Sequence, residues 1–488
     1  MIINQSLHCG IFPEALKLAK VIPLYKKNER CLFDNYRPIS LLLSLSKVFE
    51  KVVHNQVLEY MTSQKFFYSN QYGFRPKHST ETAILELTDR LLKLLDEDKV
   101  PFTIFMDLSK AFDTLDHKIL LHKLSYYGIK SSPLSWFSSY LSNRVQYVEY
   151  NNQQSSKKVV NLGVPQGSIL GPLLFLIYIN DISNVSTIFH PILYADDTTL
   201  ISTMCSFSLD SRKDDQINDE LNKIFNWLCV NKLSLNINKT KYMVFHSPQS
   251  QRTNRNFPSL FINGIPLEKT EEFNFLGTIM TNTMNWKSHC TYIGTKLSRT
   301  IGVLRRLQNI VPTYVLLSIY NSLFVPYMSQ SILVWGHSPH RIFKLQKKAI
   351  RIVFKAKYNA HTDVLFKQNN ILKLEDIYNI AAAKFYFKYV NETLPPYFQN
   401  MFDNHPTPHQ YNTRNPQHRP QRSNKLFTAN CIRFKIPALI RELPPLVVEK
   451  TNTHSLKGFS NYAKAFFINK YNENCIIVNC YVCGISQI

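Results

Sequence analysis

Apolar positions follow two periods along this chain. Residues 41–61 place Leu45, Val48, Phe49, Val52, Val53, Val57 and Leu58 at the three- and four-residue spacing of one helical face. Residues 80–95 repeat the pattern behind a Ser79-Thr80 start of the kind that caps a helix. The period then changes. Residues 102–106, FTIFM, form a continuous apolar run that predicts a buried strand delivering Asp107 to its tip. In PILYADDTTLIS, residues 191–202, two apolar runs flank Ala195-Asp196-Asp197, which predicts a hairpin with acids at its turn. Asn263-Gly264 between the apolar runs of SLFINGIPLE predicts another hairpin, and FNFLGTIM at 273–280 a further strand. Helices mixed with antiparallel strands give an α+β class for the first 280 residues.

Strand signals fade after Met284, and residues 287–337 read as helices. No Lys, Arg, Asp or Glu lies between Arg306 and Arg341, so a membrane span is one reading. Asn321, Ser322, Pro326, Ser329 and Gln330 interrupt the stretch and favour a buried helix pair, so no stable membrane association is expected. Residues 344–357 predict an amphipathic helix, with Leu345, Ala349, Ile352, Val353 and Ala356 on one face and Lys344, Lys347, Lys348, Arg351 and Lys355 on the rest. Residues 403–424 hold four prolines and no aliphatic side chain, the composition of a linker or extended binding segment.

Charge narrows the partner class. The 488 residues carry 57 Lys and Arg against 34 Asp and Glu, a surplus of 23 that points to a polyanion. Fifteen of that surplus fall between residues 338 and 470, where 22 basic side chains face 7 acidic ones. The basic helix is open to three readings: a solvated face, nucleic-acid backbone contact, or a membrane surface. Nine widely spaced cysteines argue against a secreted disulfide framework, and Met1–Phe12 lacks the features of a signal peptide. The expected setting is intracellular, in cytoplasm and nucleus. Cys475, Cys480 and Cys483 lack a fourth ligand at zinc spacing and read as reduced thiols; His405, His409 and His418 read as solvent-exposed.

Asp107 and the Asp196-Asp197 pair lie 89 residues apart at strand ends. Converging carboxylates repel unless cations lie between them. Hard oxygen ligands suit Mg²⁺, with Mn²⁺ as a substitute, and two ions about 3.5–4 Å apart clamp an in-line phosphoryl displacement.

These residues sit in a series of motifs: NYRPISLLLSLSKVFEKVV at 35–53, QYGFRPKHSTETA at 71–83, FMDLSKAFDTLDH at 105–117, GVPQGSILGPLLFLIYINDI at 163–182, YADDTTL at 194–200, LSLNINKTKYMVF at 233–245 and FLG at 275–277. In this order they resemble the reverse transcriptases of non-LTR (LINE-type, jockey-like) retrotransposons, from about residue 12 to 281. The resemblance implies a right-hand polymerase: fingers and palm over 5–281, thumb-like helices over 282–340, a basic helical region over 341–402, a Pro-rich linker over 403–424 and a C-terminal region over 425–488. It implies an RNA-directed DNA polymerase extending a DNA primer on an RNA template from dNTPs. Asp107 and Asp196 match the metal-binding aspartates and Asp197 the third carboxylate, beside Tyr194. Phe112 matches a steric gate under the sugar, with plain core packing as its other reading. Gln166 and Gly167 match the loop at the incoming nucleotide. Arg75 matches a fingers residue near the triphosphate, or else forms a surface ion pair. Lys239 matches a lysine approaching the pyrophosphate, with Lys241 its rival.

The motifs begin close to Met1, leaving no room for the endonuclease that precedes the polymerase in full-length elements. The resemblance thus implies a truncated or partial element lacking that nuclease. A catalytically inactive relic, or an RNA-binding protein keeping the fold, is the alternative; the intact acid set favours activity. Oligomeric state is not legible in the sequence.

Overall fold

In the computed structural model the chain divides into two compact units. One comprises Met1–Pro76, Phe102–Tyr242 and Arg255–Lys269, the other Lys77–Pro101, Met243–Asn254 and Thr270–Ile488. The structure describes residues 1–202, 211–246, 259–337, 340–402, 429, 431–444, 448–449, 451 and 455–471. The Pro-rich segment 403–424, its three histidines and Cys475, Cys480 and Cys483 lie outside the described residues.

The first unit holds two larger sheets. In one, Leu18–Tyr25 pairs antiparallel with Tyr36–Leu42 and parallel with Arg144–Tyr150. Its strand alternation is plain: Ala19, Val21 and Leu42 are buried, whereas Leu18, Ile22, Leu24 and Leu41 are exposed. The second sheet runs in the order Glu268–Lys269, Lys241–Val244 (Lys241 and Tyr242 of which belong to this unit), Phe102–Met106, Asp197–Ser202, Phe189–Tyr194. All five residues of Phe102–Met106 are buried, which explains a continuous rather than an alternating apolar run. The mixed helix-and-sheet architecture is the α+β class read from the sequence.

Beside these sheets, Leu170–Ile179 forms a helix buried on every side except at Pro172. Its N-terminus is held by Glu50, which is fully buried on the helix Ser44–Ser63. One Glu50 oxygen accepts from the amides of Ile169 (2.7 Å) and Leu170 (3.2 Å), and the other from the Ser46 hydroxyl (3.0 Å). A carboxylate at a helix N-terminus satisfies orphan donors and complements the dipole.

In the second unit, Thr80–Asp96 starts at a capping box between Ser79 and Thr82. The helices Lys287–Leu307, Thr313–Leu323, Val325–Ser329 and Ile332–Trp335 follow, then His340–Val353 and Leu374–Val390. Among the described residues no helix is long and apolar enough to cross a membrane. Leu316, Tyr320, Phe324, Met328 and Trp335 of the uncharged stretch are buried instead. Asp89, almost fully buried, accepts from Arg433 (Nε 2.8 Å, Nη2 2.7 Å) and from the Tyr397 hydroxyl (2.6 Å).

Three elements differ from expectation. Residues 273–280 are not one strand but part of a hairpin, Glu272–Phe275 against Thr278–Thr281, because Leu276 (φ 47°) and Gly277 (φ 87°) form a left-handed two-residue turn. The basic helix covers His340–Val353 rather than 344–357, and Lys355 at φ 54° turns the chain out of it. Residues 41–42 complete a strand, and the helix starts at Ser44, with Leu45 and Val48 exposed at its first turn. The hairpin at Asn263-Gly264 forms where it was expected, with both residues at positive φ.

Candidate active site

Strand register gathers the acids in the first unit. Met106 pairs with Thr198, so Asp107 and Asp197 lie at the same end of neighbouring strands. Tyr194 pairs with Asp197 across the neighbouring hairpin, and Ala195-Asp196 make its two-residue turn. Ala195 takes φ 55°, a left-handed conformation unusual for alanine. Asp196 therefore sits at the tip, half-buried, with Asp197 beside it.

The site is electrostatically unsettled. Burial, and then the neighbouring Asp107, raise Asp196 above the ordinary carboxylate range; Arg37 and Lys26 pull it back. Burial together with Asp196 and Asp107 pushes Asp197 up to about 6. In the metal-free protein the folded state thus holds the Asp197 proton more tightly than the unfolded chain. That stabilisation is present below the ordinary value of 3.8 and is lost as pH rises through about 6. The melting temperature of metal-free wild-type protein should fall across this window, and Asp197→Asn should flatten the slope. Parallel curves for the two proteins would show that Asp197 is not the group responsible.

Lys239 ends a short turn, Ile237–Lys239, whose first residue follows Asn236; the Asn236 side chain accepts from the Lys239 amide at 3.2 Å. The Asn236 amide in turn donates to the Asp107 carbonyl at 2.8 Å, and Lys239 Nζ stands 3.7 Å from Asp107 Oδ2. Lys241 is directed elsewhere, pairing with Glu268 at 2.6 Å. Of the two lysines, Lys239 is the one beside an acid of this cluster.

Gln166 is bound to Asp113, its Nε2 donating to both carboxylate oxygens at 2.8 and 3.0 Å. Burial raises Asp113, and the bond from Gln166 opposes that rise. The Gln166 carbonyl accepts from Ser40 at 2.8 Å, and Gly167 (φ 129°) packs so tightly that a Cβ would lie 2.5 Å from the Ser40 carbonyl oxygen. Phe112 is half-buried, stacked on Phe175 at 4.7 Å and edge-on to Phe74 at 6.2 Å. Arg75 directs its guanidinium to the carbonyls of Tyr68 (2.7 Å) and Gln71 (3.4 Å) and over the Phe67 ring. Burial lowers it to about 10. The structure therefore brings Asp107, Asp196, Asp197, Tyr194 and Lys239 together, and ties Gln166, Gly167 and Phe112 to the segments around Ser40 and Asp113. Arg75 braces its own loop.

Sequence reasoning passed over Asp113, Lys26, Arg37 and Gln71. Asp113 and Arg37 stand inside quoted motifs, FMDLSKAFD and NYRPIS, but only their charge relation to Gln166 and Asp196 marks them out.

As placed, no three His, Cys, Asp or Glu side chains among the described residues form a metal-holding group. The donor set nevertheless fits a hard divalent cation, because Asp107 raises the proton affinity of Asp196, and both raise that of Asp197, at the ends of neighbouring strands.

The chain belongs to the reverse transcriptase (RNA-dependent DNA polymerase) family, whose model matches residues 25–280. It is similar to the probable RNA-directed DNA polymerase from transposon BS of Drosophila melanogaster, with 27% identity over 400 residues, covering 77% of this chain and 42% of that protein. Similarity to the RNA-directed DNA polymerase from mobile element jockey of Drosophila funebris is also 27%, over 402 residues, covering 79% and 43%. The probable RNA-directed DNA polymerase from transposon X-element of Drosophila melanogaster matches at 26% over 403 residues. The resemblance to non-LTR elements of the jockey kind is thus matched by these relatives. The chain spans less than half their length.

Proposed function

We propose that this chain is an RNA-directed DNA polymerase of a non-LTR retrotransposon, adding deoxynucleotides to a DNA 3′-OH on an RNA template. The observation that carries the reading is the convergence of Asp107, Asp196 and Asp197 at one strand edge, with Lys239 3.7 Å from Asp107. Each addition joins the primer 3′ oxygen to the α-phosphorus of a dNTP and releases pyrophosphate.

Asp107, Asp196 and Asp197 are the residues to hold two Mg²⁺ ions, with Mn²⁺ able to serve the same oxygens. Bound there, such ions would supply activation of the attacking oxygen and stabilisation of charge on the phosphates. Lys239, beside Asp107, would protonate the leaving pyrophosphate. Lys26 and Arg37, exposed on the first sheet's hairpin and felt electrostatically at Asp196, suit the triphosphate better than the loop-bound Arg75. Phe112, packed against Phe175 and Phe74, would act as the ring that excludes a ribose 2′-OH. An intracellular setting, in cytoplasm and nucleus, goes with this chemistry. Purified protein should extend an annealed DNA primer on an RNA template with dNTPs and Mg²⁺. Failure to extend with either Mg²⁺ or Mn²⁺ would leave the inactive, RNA-binding alternative.

Template RNA has a matching surface in the second unit. From Phe273 to Thr362 the chain contains 12 Lys and Arg and not one Asp or Glu. The helices Lys287–Leu307 and His340–Val353 pack together within this run. Arg299, Arg305, Arg306, Arg341, Lys344 and Lys348 are exposed and meet no carboxylate among the described residues. Each phosphate contact with a single strand contributes a slope of roughly 0.7 in log K against log salt. The double variant K344Q/K348Q should therefore bind RNA more weakly and with a shallower salt line. An unchanged slope would mark the His340–Val353 helix as a solvated face.

A further inference from the structure

We infer that Gln71 is a positioning residue for the acidic turn, an inference that rests on the polymerase reading for its kinetic part only. Residues 70–73 run parallel to the strand that leads into the turn. The Leu193 amide donates to the Asn70 carbonyl (3.0 Å), the Tyr72 amide donates to the Leu193 carbonyl (2.7 Å), and Gln71 bridges to Leu193. Gln71 is 1% exposed. Its side-chain carbonyl accepts two amide protons, from Gly73 at 2.9 Å and from Ala195 at 3.1 Å. The second of these is the residue just before Asp196.

The orientation of this amide is fixed by its surroundings. Two converging N–H donors demand an oxygen, so the Gln71 NH₂ points away and has no hydrogen-bond partner among the described residues. A buried amide that leaves its own donor unpartnered in order to accept two backbone protons is committed to those protons. Gly73 completes the clasp. A Cβ there would lie 2.3 Å from the Ala195 nitrogen, so no side chain fits between the two segments.

The turn needs such a clasp for two reasons. Ala195 is held at φ 55°, which an alanine adopts only when neighbours hold it. The carboxylates of Asp107, Asp196 and Asp197 also repel one another, and the hairpin tip is free to relieve that repulsion by lifting away from Asp107. The Gln71 carbonyl closes this route by binding the backbone immediately before the acids. Almost fully buried, it acts through Ala195.

The test compares Gln71→Met, which keeps volume but removes the acceptor, with Gln71→Glu, which keeps an acceptor oxygen in either protonation state. Hydrogen exchange of a peptide covering residues 194–198 should be about tenfold faster in Q71M, the equilibrium equivalent of one net hydrogen bond. Q71E should exchange within about threefold of wild type. Primer extension by Q71M should lose at least about tenfold in kcat with little change in KM for dNTP, as expected when an interaction serves the transition state. Q71E should recover most of the rate. Unaltered exchange at 194–198 in a folded Q71M would overturn the inference, as would equal losses in both variants that simply follow their melting temperatures. The exchange measurement needs no catalysis, so an inactive wild type would sink the polymerase reading while leaving the clasp to stand or fall separately.

Discussion

Asp196→Asn should reduce primer extension by several orders of magnitude while leaving the protein folded. Catalysis of phosphoryl transfer rests mainly on positioning and charge stabilisation, so one missing carboxylate oxygen at the metal site removes most of it. Folding responds in the opposite direction. Asp196 is raised by burial and by Asp107, and neutralising it relieves repulsion at the hairpin tip. The melting temperature of metal-free D196N should equal or exceed that of wild type. Asp107→Asn should behave alike in turnover. Near wild-type extension by D196N would end the metal-site reading, and a collapse in melting temperature would make the loss of activity uninformative.

The second large effect lies far from chemistry. Arg433→Met should destabilise the protein by about 3–5 kcal/mol, the cost of leaving a buried carboxylate without its cation. Asp89 has 1% of its side chain exposed, and Arg433 grips it through Nε and Nη2. Tyr397 supplies one more donor, at 2.6 Å, too little to replace a charge. Adding Asp89→Leu to R433M should recover most of the loss, since a buried ion pair exchanged for apolar groups is close to neutral. Denaturant unfolding followed by circular dichroism reads both. A loss under about 1 kcal/mol in R433M would mean that water reaches Asp89 once the guanidinium is gone.

Much of the acid site was legible because local pattern carries it. FTIFM is apolar without interruption, so a buried strand ending at Asp107 follows from composition alone, and the two apolar runs around Tyr194-Ala195-Asp196-Asp197 define a hairpin. Asn263-Gly264 likewise announces its own turn. The residue order Leu276-Gly277 did not, because leucine at positive φ is held by the hairpin around it and not by its own preference. What stayed hidden depends on distant pairing. Glu50 reads as an ordinary helix-surface glutamate until Ile169 and Leu170, over a hundred residues on, present their amides to it. Arg75 fits a phosphate contact by type, yet the carbonyl of Tyr68 in its own loop takes the guanidinium. Gln71 opens the motif QYGFRPKHSTETA but carries no charge and no role of its own there, so only three-dimensional proximity to Ala195 reveals it.

The acid-free run from Phe273 to Thr362 also changes how low pH reaches this unit. Acid unfolding ordinarily proceeds by protonating carboxylates that are ionised in the native state. This run has none to protonate, so its acid sensitivity enters through histidine. Burial holds His289 and His337 down to about 4, well below their ordinary 6.5. The folded state therefore keeps both rings neutral while the unfolded chain takes up protons first. The stability they contribute is intact above about pH 6.5 and drains away as pH falls toward about 4. Mild acid thus bears on these helices at the buried His289 and the half-buried His337, while the basic face outside keeps its charge.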